Sequence, residues 1–292
     1  MRLALELSRT RCAALLVNDA LQPQNQLVKP FSPTQNAATR WLETVKLARE
    51  TLFPAALEPH QLSAIGLAFE GALSGENVVQ KSPFSLGFEG YNLERGLREH
   101  LELAQWGREK LRIFPKIWAQ GLGESRFGGL QNVADWVFLD LDGALTSVCA
   151  RGGAMFDGDL GALVLERDGA LDEYAKRGTL RAFCGETAFE ARCRSFAIAG
   201  ARDVWRLAPS NFAAQSLAQD FAARLAQGIG GAIAVLRPQK VVLGGEFCGA
   251  IWNELHGDLA SFLRDIAPQE SAETALALAQ TGTDAALLGV LG

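Results

Sequence analysis

The sequence has few cysteines and few histidines, which limits the disulfide and metal chemistry it can carry. Its 292 residues include five cysteines and three histidines. The cysteines are scattered and odd in number, which fits a reducing cytoplasm better than a disulfide framework. We therefore expect a cytoplasmic protein. The five cysteines are Cys12, Cys149, Cys184, Cys193 and Cys248.

Long apolar runs and basic clusters are also absent. No stretch of about 18 uncharged apolar residues occurs, so no transmembrane helix is expected. Glu6, Arg9 and Arg11 interrupt the apolar N-terminal segment, which argues against a signal peptide. The formal net charge is −5 and no Lys/Arg cluster stands out. Because neutralising phosphates requires a basic surface, we expect neither nucleic-acid nor membrane partners.

Strand-like and helix-like segments alternate along the chain. This alternation predicts an α/β protein with two similar lobes. We place the N-terminal lobe at 1–120 and the C-terminal lobe at 121–292, and leave open whether the closing helix returns to the first lobe. Predicted strands lie at 2–8, 12–18, 62–71, 112–114, 240–245 and 274–280, with a hairpin at 136–153. Predicted helices lie at 35–52, 92–104, 116–127, 211–236, 249–265 and 283–291.

Four stretches, taken in order, resemble the ROK family of bacterial sugar kinases and related repressors. They are LALELSRTRCAALLV (3–17), IGLAFEGALSGENVVQKSPFSLGFEGYNL (65–93), PQKVVLGGEF (238–247) and TGTDAALLGVLG (281–292). The resemblance implies a two-lobed actin-like ATPase (ribonuclease H-like) fold. It also implies an ATP- and Mg²⁺-dependent transfer of phosphate to a hexose or amino-hexose.

The first phosphate loop of the family, D-x-G-G-T-K, is altered here. Glu6 stands for the aspartate that organises Mg²⁺, and Ser8 and Arg9 replace the two glycines. Thr10 and Arg11 keep the character of the last two positions, so Thr10 is a candidate nucleotide-binding residue. Two interpretations remain: Arg9 binds phosphate directly, or the segment is a surface hairpin with an exposed arginine.

The second phosphate loop, G-T-G-x-G in the family, corresponds to residues 141–146. Only Gly143 survives, and Asp142 would place a negative charge beside the phosphates. Alternatively, Asp140 or Asp142 could hold a metal, or the segment is an ordinary Asp-Gly turn.

The catalytic base of the family lies in an N-D-A-N motif that opens a helix ending in L-G-E. Counting back from Leu122–Glu124 puts Lys116 at the aspartate position, and no carboxylate lies between Lys110 and Gly123. A protonated lysine cannot accept a proton from a sugar hydroxyl. Since a general base contributes about 10²–10⁴-fold, we assign no catalytic residue and expect impaired phosphoryl transfer.

The sugar and zinc motifs are also changed. Asp159–Ala162 replaces the family's E-I-G-H, and residues 173–181 replace its cysteine cluster without any cysteine. Because tetrahedral zinc needs four ligands, we expect no structural zinc, and we expect Cys184 and Cys193 to be buried as small hydrophobic residues. The remaining candidates are Gly71 and Asp159 for the sugar, and Gly143, Gly244 and Gly245 for the nucleotide. Gly244 and Gly245 could equally form the tight exit from a strand.

Two functions remain open. One is a catalytically degenerate, ligand- or partner-binding pseudokinase, because the base, both phosphate loops, the zinc ligands and the sugar histidine are all altered. The other is an active sugar kinase with a displaced carboxylate. Its candidates are Asp140, Asp142, Asp157 and Asp159.

The repressor branch of the family is disfavoured because the sequence begins at the first hairpin without a helix-turn-helix. The ligand would be a sugar or a nucleotide. The many small residues of the 211–236 helix suit either homodimer contacts or core packing.

Overall fold

The computed structural model describes residues 1–32, 34–82 and 87–291. Residues 83–86, part of the second family-like stretch, and Gly292, the last residue of the fourth, lie outside the described residues. The chain divides into two compact units, Met1–Arg126 with Asp284–Gly292, and Phe127–Thr283. No described helix is long and apolar enough to cross a membrane.

The first unit is built on a five-stranded mixed sheet in the order β3-β2-β1-β4-β7. Its strands are β1 (Arg2–Leu7), β2 (Arg11–Val17), β3 (Pro23–Pro30), β4 (Ala64–Phe69) and β7 (Leu111–Pro115). The hairpin strands pair antiparallel, whereas β1 pairs parallel with β4, and β4 with β7. A separate two-stranded sheet contains β5 (Ala72–Leu73) and β6 (Val79–Lys81).

Strand β1 is buried on both faces of this sheet, and it is apolar at almost every position. Since side chains alternate across a strand, Leu3 and Leu5 pack with Trp41 on one face, while Ala4 packs with Leu287 on the other. The helices of this unit are α1 (Ala37–Leu52), α2 (Leu93–His100), α3 (Lys116–Phe127) and α10 (Ala285–Leu291).

The second unit repeats this topology, with strand order β10-β9-β8-β11-β12. Its strands are β8 (Trp136–Asp140), β9 (Thr146–Arg151), β10 (Ala154–Asp157), β11 (Lys240–Gly244) and β12 (Ala275–Leu278). Again two antiparallel pairs are followed by two parallel ones. The α/β actin-like fold predicted from the sequence is therefore confirmed.

The helices of the second unit enclose an aromatic cluster of Phe189, Trp205, Phe221 and Phe247. They are α4 (Leu180–Cys184), α5 (Glu186–Ser195), α6 (Asp203–Leu207), α7 (Phe212–Leu236), α8 (Glu246–Ile266) and α9 (Glu270–Glu273). Cys184 and Cys193 are fully buried, as expected.

The long helix α7 begins and ends as its sequence predicts. The Asn211 side chain caps it by accepting a hydrogen bond from the Ala214 amide at 3.1 Å. It stops at Arg237 in a left-handed conformation (φ 46°), directly before Pro238. Most of its small residues are buried inside this unit, which accounts for them as core; they include Ala214, Ala222, Gly228, Gly230 and Ala232.

Several elements were not predicted, among them β10, α4, α5 and α6, and two further differences have a clear physical reason. Strand β3 was not predicted, because its PQNQLVKP sequence is polar and bounded by proline. It is an exposed edge strand, where such residues are tolerated. Helix α8 begins at Glu246 rather than at 249, and the reason lies in a distant carboxylate described below.

Candidate functional site

The turn between β1 and β2 replaces the first phosphate loop of the family. Glu6 is 1% exposed, and its carboxylate pairs with the Arg11 guanidinium at 3.1 Å. The Arg9 backbone N–H donates to the Glu70 carboxylate at 2.6 Å. The Arg40 guanidinium donates to the Arg9 carbonyl at 3.1 Å. An amide that a phosphate-binding loop would direct at a phosphate therefore already has a carboxylate partner in this chain.

The candidate residues next to this turn are placed by the backbone. Thr10 is exposed, and its carbonyl accepts from the Phe31 amide at 2.7 Å. Gly71 follows β4 directly after Glu70. A Cβ atom there would lie 2.6 Å from the Phe69 ring and 2.8 Å from the Lys81 carbonyl oxygen. Thr10 and Gly71 thus flank the Arg9–Glu70 hydrogen bond.

Lys116 is the first residue of α3 and follows β7 without a linker. It therefore lies at the carboxyl end of a parallel strand, where α/β proteins commonly bind ligands. The nearest carboxylate that follows it in the sequence, Glu124, is completely buried two turns into the helix.

In the second unit, Asp142 fills the N-terminus of α8. Its Oδ2 accepts from the Glu246 amide and its Oδ1 from the Phe247 amide, both at 2.8 Å. These amides are among the orphan donors of a helix start, where the helix dipole favours a negative charge. The carboxylate reaches across 104 residues of sequence, and it explains why α8 begins earlier than predicted.

Two further carboxylates accept hydrogen bonds from amides of the 141–146 turn. Asp140 is buried, and its Oδ1 accepts from the Asp142 amide at 3.1 Å. Glu186 Oε2 accepts from the Gly143 amide at 3.2 Å, and Gly143 has a left-handed backbone (φ 59°). Two amides of the second family loop, those of Asp142 and Gly143, thus have carboxylate partners.

Gly244 and Gly245 leave β11 at this turn. Gly245 has φ 102°, which favours glycine, and a Cβ atom there would collide with Asp142 Oδ1 and lie 2.7 Å from Asp140 Oδ1. Gly244 packs against the Phe138 ring. Of the three candidate glycines, Gly245 is therefore the one that lies directly against the carboxylates of Asp140 and Asp142.

Asp159 forms part of a different cluster centred on Arg181. The Arg181 side chain is 2% exposed, and its Nη2 contacts both Asp159 oxygens at 2.7 Å. Its Nε donates to the Leu145 carbonyl at 2.9 Å, and its guanidinium lies 4.5 Å from the centre of the Tyr174 ring. Arg181 ends the 173–181 segment and places a buried cation there.

Asp172 organises the segment that carries the zinc cluster in the family. Its Oδ1 accepts from the Tyr174 and Lys176 amides, and its Oδ2 from the Thr179 hydroxyl at 2.8 Å and from Arg181 at 3.4 Å. Burial raises the pKa of Asp172, but these hydrogen bonds and the Arg181 charge outweigh it, so the pKa lies below 3.8.

This segment does not fit a zinc ion. Among the described residues, no three His, Cys, Asp or Glu side chains are grouped as a metal site. The loop is held instead by the hydrogen bonds of Asp172 and by its contact with Arg181.

The model of the ROK family matches residues 2–291. The chain belongs to the ROK family. The similar solved structures include a ROK hexokinase from Thermus thermophilus, with 21% identity, 99% of this chain and 95% of that chain covered, and a TM-score of 0.81. A comparison with curated proteins gives no match.

Other ROK structures resemble this chain equally well in fold. A Streptomyces griseus ROK glucokinase in complex with glucose and AMPPNP is 16% identical, with a TM-score of 0.78. The match covers 99% of this chain and 97% of the glucokinase chain. A ROK transcriptional regulator, a homologue of the E. coli MLC protein, is 15% identical, with a TM-score of 0.82. The match covers 99% of this chain and 76% of the regulator chain. The protein is thus sugar-kinase-like in family and fold.

Sequence analysis missed the partners that decide the chemistry of both turns. From the sequence alone, no functional role was assigned to Glu70, Glu186, Asp172 or Arg181. The only available signal was the coincidence of Glu70 with the position preceding Gly71, in a stretch already aligned with the family's sugar segment.

Proposed function

We propose that this ROK protein is a pseudokinase, which keeps the sugar-kinase fold as a ligand- or partner-binding module and does not transfer phosphate. The observation that carries the proposal is the position of Asp142. Both of its carboxylate oxygens accept hydrogen bonds from the first amides of α8.

The physical argument is one of charge. A helix N-terminus with free amides attracts phosphate groups. Here the amides are satisfied by a carboxylate, with a second carboxylate from Asp140 beside it. A nucleotide phosphate entering this turn would meet like charges at close range and would have to displace charge-assisted hydrogen bonds.

The first unit supports the same conclusion. The Arg9 amide is bound by Glu70, and Lys116 stands where the family has its base. Without a carboxylate to accept the hydroxyl proton, the rate would lose a factor of about 10²–10⁴.

Ligand binding without turnover remains compatible with these substitutions, because affinity and catalysis depend on different interactions. We retain Thr10, Gly143, Gly244 and Gly245 as proposed nucleotide contacts. We retain Gly71 and Asp159 as proposed sugar contacts; Asp159 would have to exchange its Arg181 pair for the sugar. Homodimer formation, a cytoplasmic location and the lack of zinc stay predictions, and ATP and Mg²⁺ would be cofactors only of an active enzyme.

The test combines calorimetry with an assay for ADP release. Purified protein is titrated with ATP·Mg²⁺, alone and in the presence of glucose, mannose, N-acetylglucosamine or N-acetylmannosamine. We expect no sugar-dependent ADP release. Sugar-stimulated ADP release that tracks the protein through purification would refute the proposal and favour an active kinase.

Asp142→Asn tests the charge argument directly, because it keeps the shape of the side chain and removes its negative charge. We expect ATP to bind this variant more tightly than the natural protein by about tenfold, the effect of one partly screened like charge. The matched control is Asp168→Asn, an exposed aspartate of the same unit. Equal ATP affinity of both variants would show that Asp142 does not exclude the nucleotide.

A further inference from the structure

The second unit contains a cavity of about 310 Å³ away from the turns described above. Helices α7 and α8, the α9 segment and strands β11 and β12 line it, and it opens to solvent. Its apolar wall contains Ile233, Val241, Leu263 and Leu276. The volume is at the lower end of the range for small-molecule sites, which are mostly apolar with a few placed polar groups.

Three polar side chains line the same cavity: His256, Arg264 and Ser271. His256 and Arg264 lie two helical turns apart on α8, with Ala260 midway between them, so all three share one face of the helix. The His256 ring packs against the Trp252 ring with centroids 4.9 Å apart. This contact orients the imidazole from the preceding turn.

Of these three side chains, His256 and Arg264 are exposed to solvent, whereas Ser271 is partly buried. The Ser271 hydroxyl oxygen is buried and has no hydrogen-bond partner among the described residues. Within the same residues, no ion pair or hydrogen bond involves the Arg264 guanidinium or the His256 ring nitrogens. A buried polar atom without a partner is rare in native proteins and calls for an explanation, such as a bound molecule.

We propose that this cavity binds a small organic anion with a short apolar body. The acidic group would accept hydrogen bonds from the Arg264 guanidinium, whose fork of donors matches a carboxylate or phosphate. The Ser271 hydroxyl and the His256 ring would contact the same group. The hydrocarbon part would cover the wall formed by Ile233, Val241, Leu263 and Leu276. This site is independent of the proposed pseudokinase function.

The test uses hexanoate as the carboxylate probe, hexyl phosphate as the phosphate probe and hexanol as the neutral probe. Isothermal titration of the full-length protein should show saturable one-to-one binding of at least one anion and much weaker binding of hexanol. The stronger of the two anions identifies the acidic group. Hydrogen exchange should show protection by the bound anion around residues 256–276.

Two variants examine the two halves of the site. Arg264→Gln should weaken anion binding by about tenfold or more, because a hydrogen bond to a charged group is lost. Ala260→Leu should abolish binding by filling the cavity while preserving a good helix former. Arg194→Gln, an exposed arginine on α5 remote from the cavity lining, is the control and should bind like the natural protein.

Several results would overturn the proposal. They are the absence of binding by either anion, equal binding of hexanol, and anion binding that Arg264→Gln and Ala260→Leu leave unchanged. Circular dichroism of each variant establishes that it is folded before binding is interpreted.

Discussion

Replacing Asp172 with asparagine should destabilise the second unit more than the same change at Asp159 or Asp168. Asparagine can still accept from the Tyr174 and Lys176 amides through its oxygen. Its NH₂ group, however, would face the Thr179 hydroxyl and the Arg181 guanidinium, which both donate to Asp172 Oδ2 in the natural protein. Donors would then confront donors in a site where Asp172 has no exposed side-chain surface.

The size of the loss in free energy of unfolding depends on the partners that Arg181 keeps in the variant. Removing one partner of a fully buried ion pair costs roughly 3–5 kcal/mol. Arg181 keeps its bidentate contact with Asp159 and its bond to the Leu145 carbonyl, and its contact with Asp172 is long at 3.4 Å. We therefore expect a loss of about 2–4 kcal/mol. Asp159 is 51% exposed, so Asp159→Asn should cost only about 1 kcal/mol after solvent screening.

The assay is urea denaturation followed by circular dichroism, with Asp168→Asn as the matched control. Because the chain has two compact units, its unfolding need not be two-state. Hydrogen exchange across residues 172–184 provides the local free energy of opening. The expected order of destabilisation is Asp172, then Asp159, then Asp168. A loss for Asp172→Asn within about 0.5 kcal/mol of the control would refute the assigned role.

The same variant should show a defined pH dependence. The pKa of Asp172 is lower in the folded protein than its ordinary value of 3.8. A lowered folded pKa contributes stability that is present above the unfolded pKa and is lost as the pH falls through the folded pKa. The difference in stability between natural protein and Asp172→Asn should therefore be full above about pH 5 and shrink below about pH 4.

Two further predictions concern close packing and the thiols. Gly289→Ala should loosen α10, because the new Cβ would collide with the Ala119 carbonyl. Hydrogen exchange at residues 285–291 should then become faster. Gly249→Ala in α8 is the control: it has open space around it and should raise the free energy of unfolding by up to about 1 kcal/mol. Burial raises the pKa of three thiols to about 11, so at pH 8 about one in a thousand of each is thiolate. Ellman's reagent should therefore label these cysteines slowly in the native protein and quickly in urea. Rapid labelling of the native protein would contradict their burial. These thiols are Cys12, Cys149 and Cys193.

The sequence by itself determined the longest strands and helices and their order. Apolar runs such as 64–69 and 240–244 had to be buried strands, and Asn211 and Pro238 bound the long helix from either side. These signals are local, since capping, turn chemistry and side-chain periodicity act over a few residues. The order of four weak family-like stretches was then enough to predict the actin-like fold.

The proposed loss of the catalytic base is a prediction from the sequence alone, because it requires only that Lys116 occupy the motif position. The sequence alone could not predict whether the backbone amides of the two phosphate loops have carboxylate partners. Glu70 is separated from Arg9 by 61 residues, and Asp142 from Phe247 by 105. Which carboxylate meets which amide depends on the strand order, which brings the ends of β1 and β4, and of β8 and β11, side by side.

The same distinction applies to Arg181 and Asp172. The sequence showed only that cysteines were missing from the 173–181 segment. The tertiary structure buries an arginine among two aspartates and a carbonyl oxygen there, and so holds the loop by charge. Local patterns determine secondary structure because their interactions are short in sequence, whereas the pairing of buried charges is decided only when the sheet brings distant segments together.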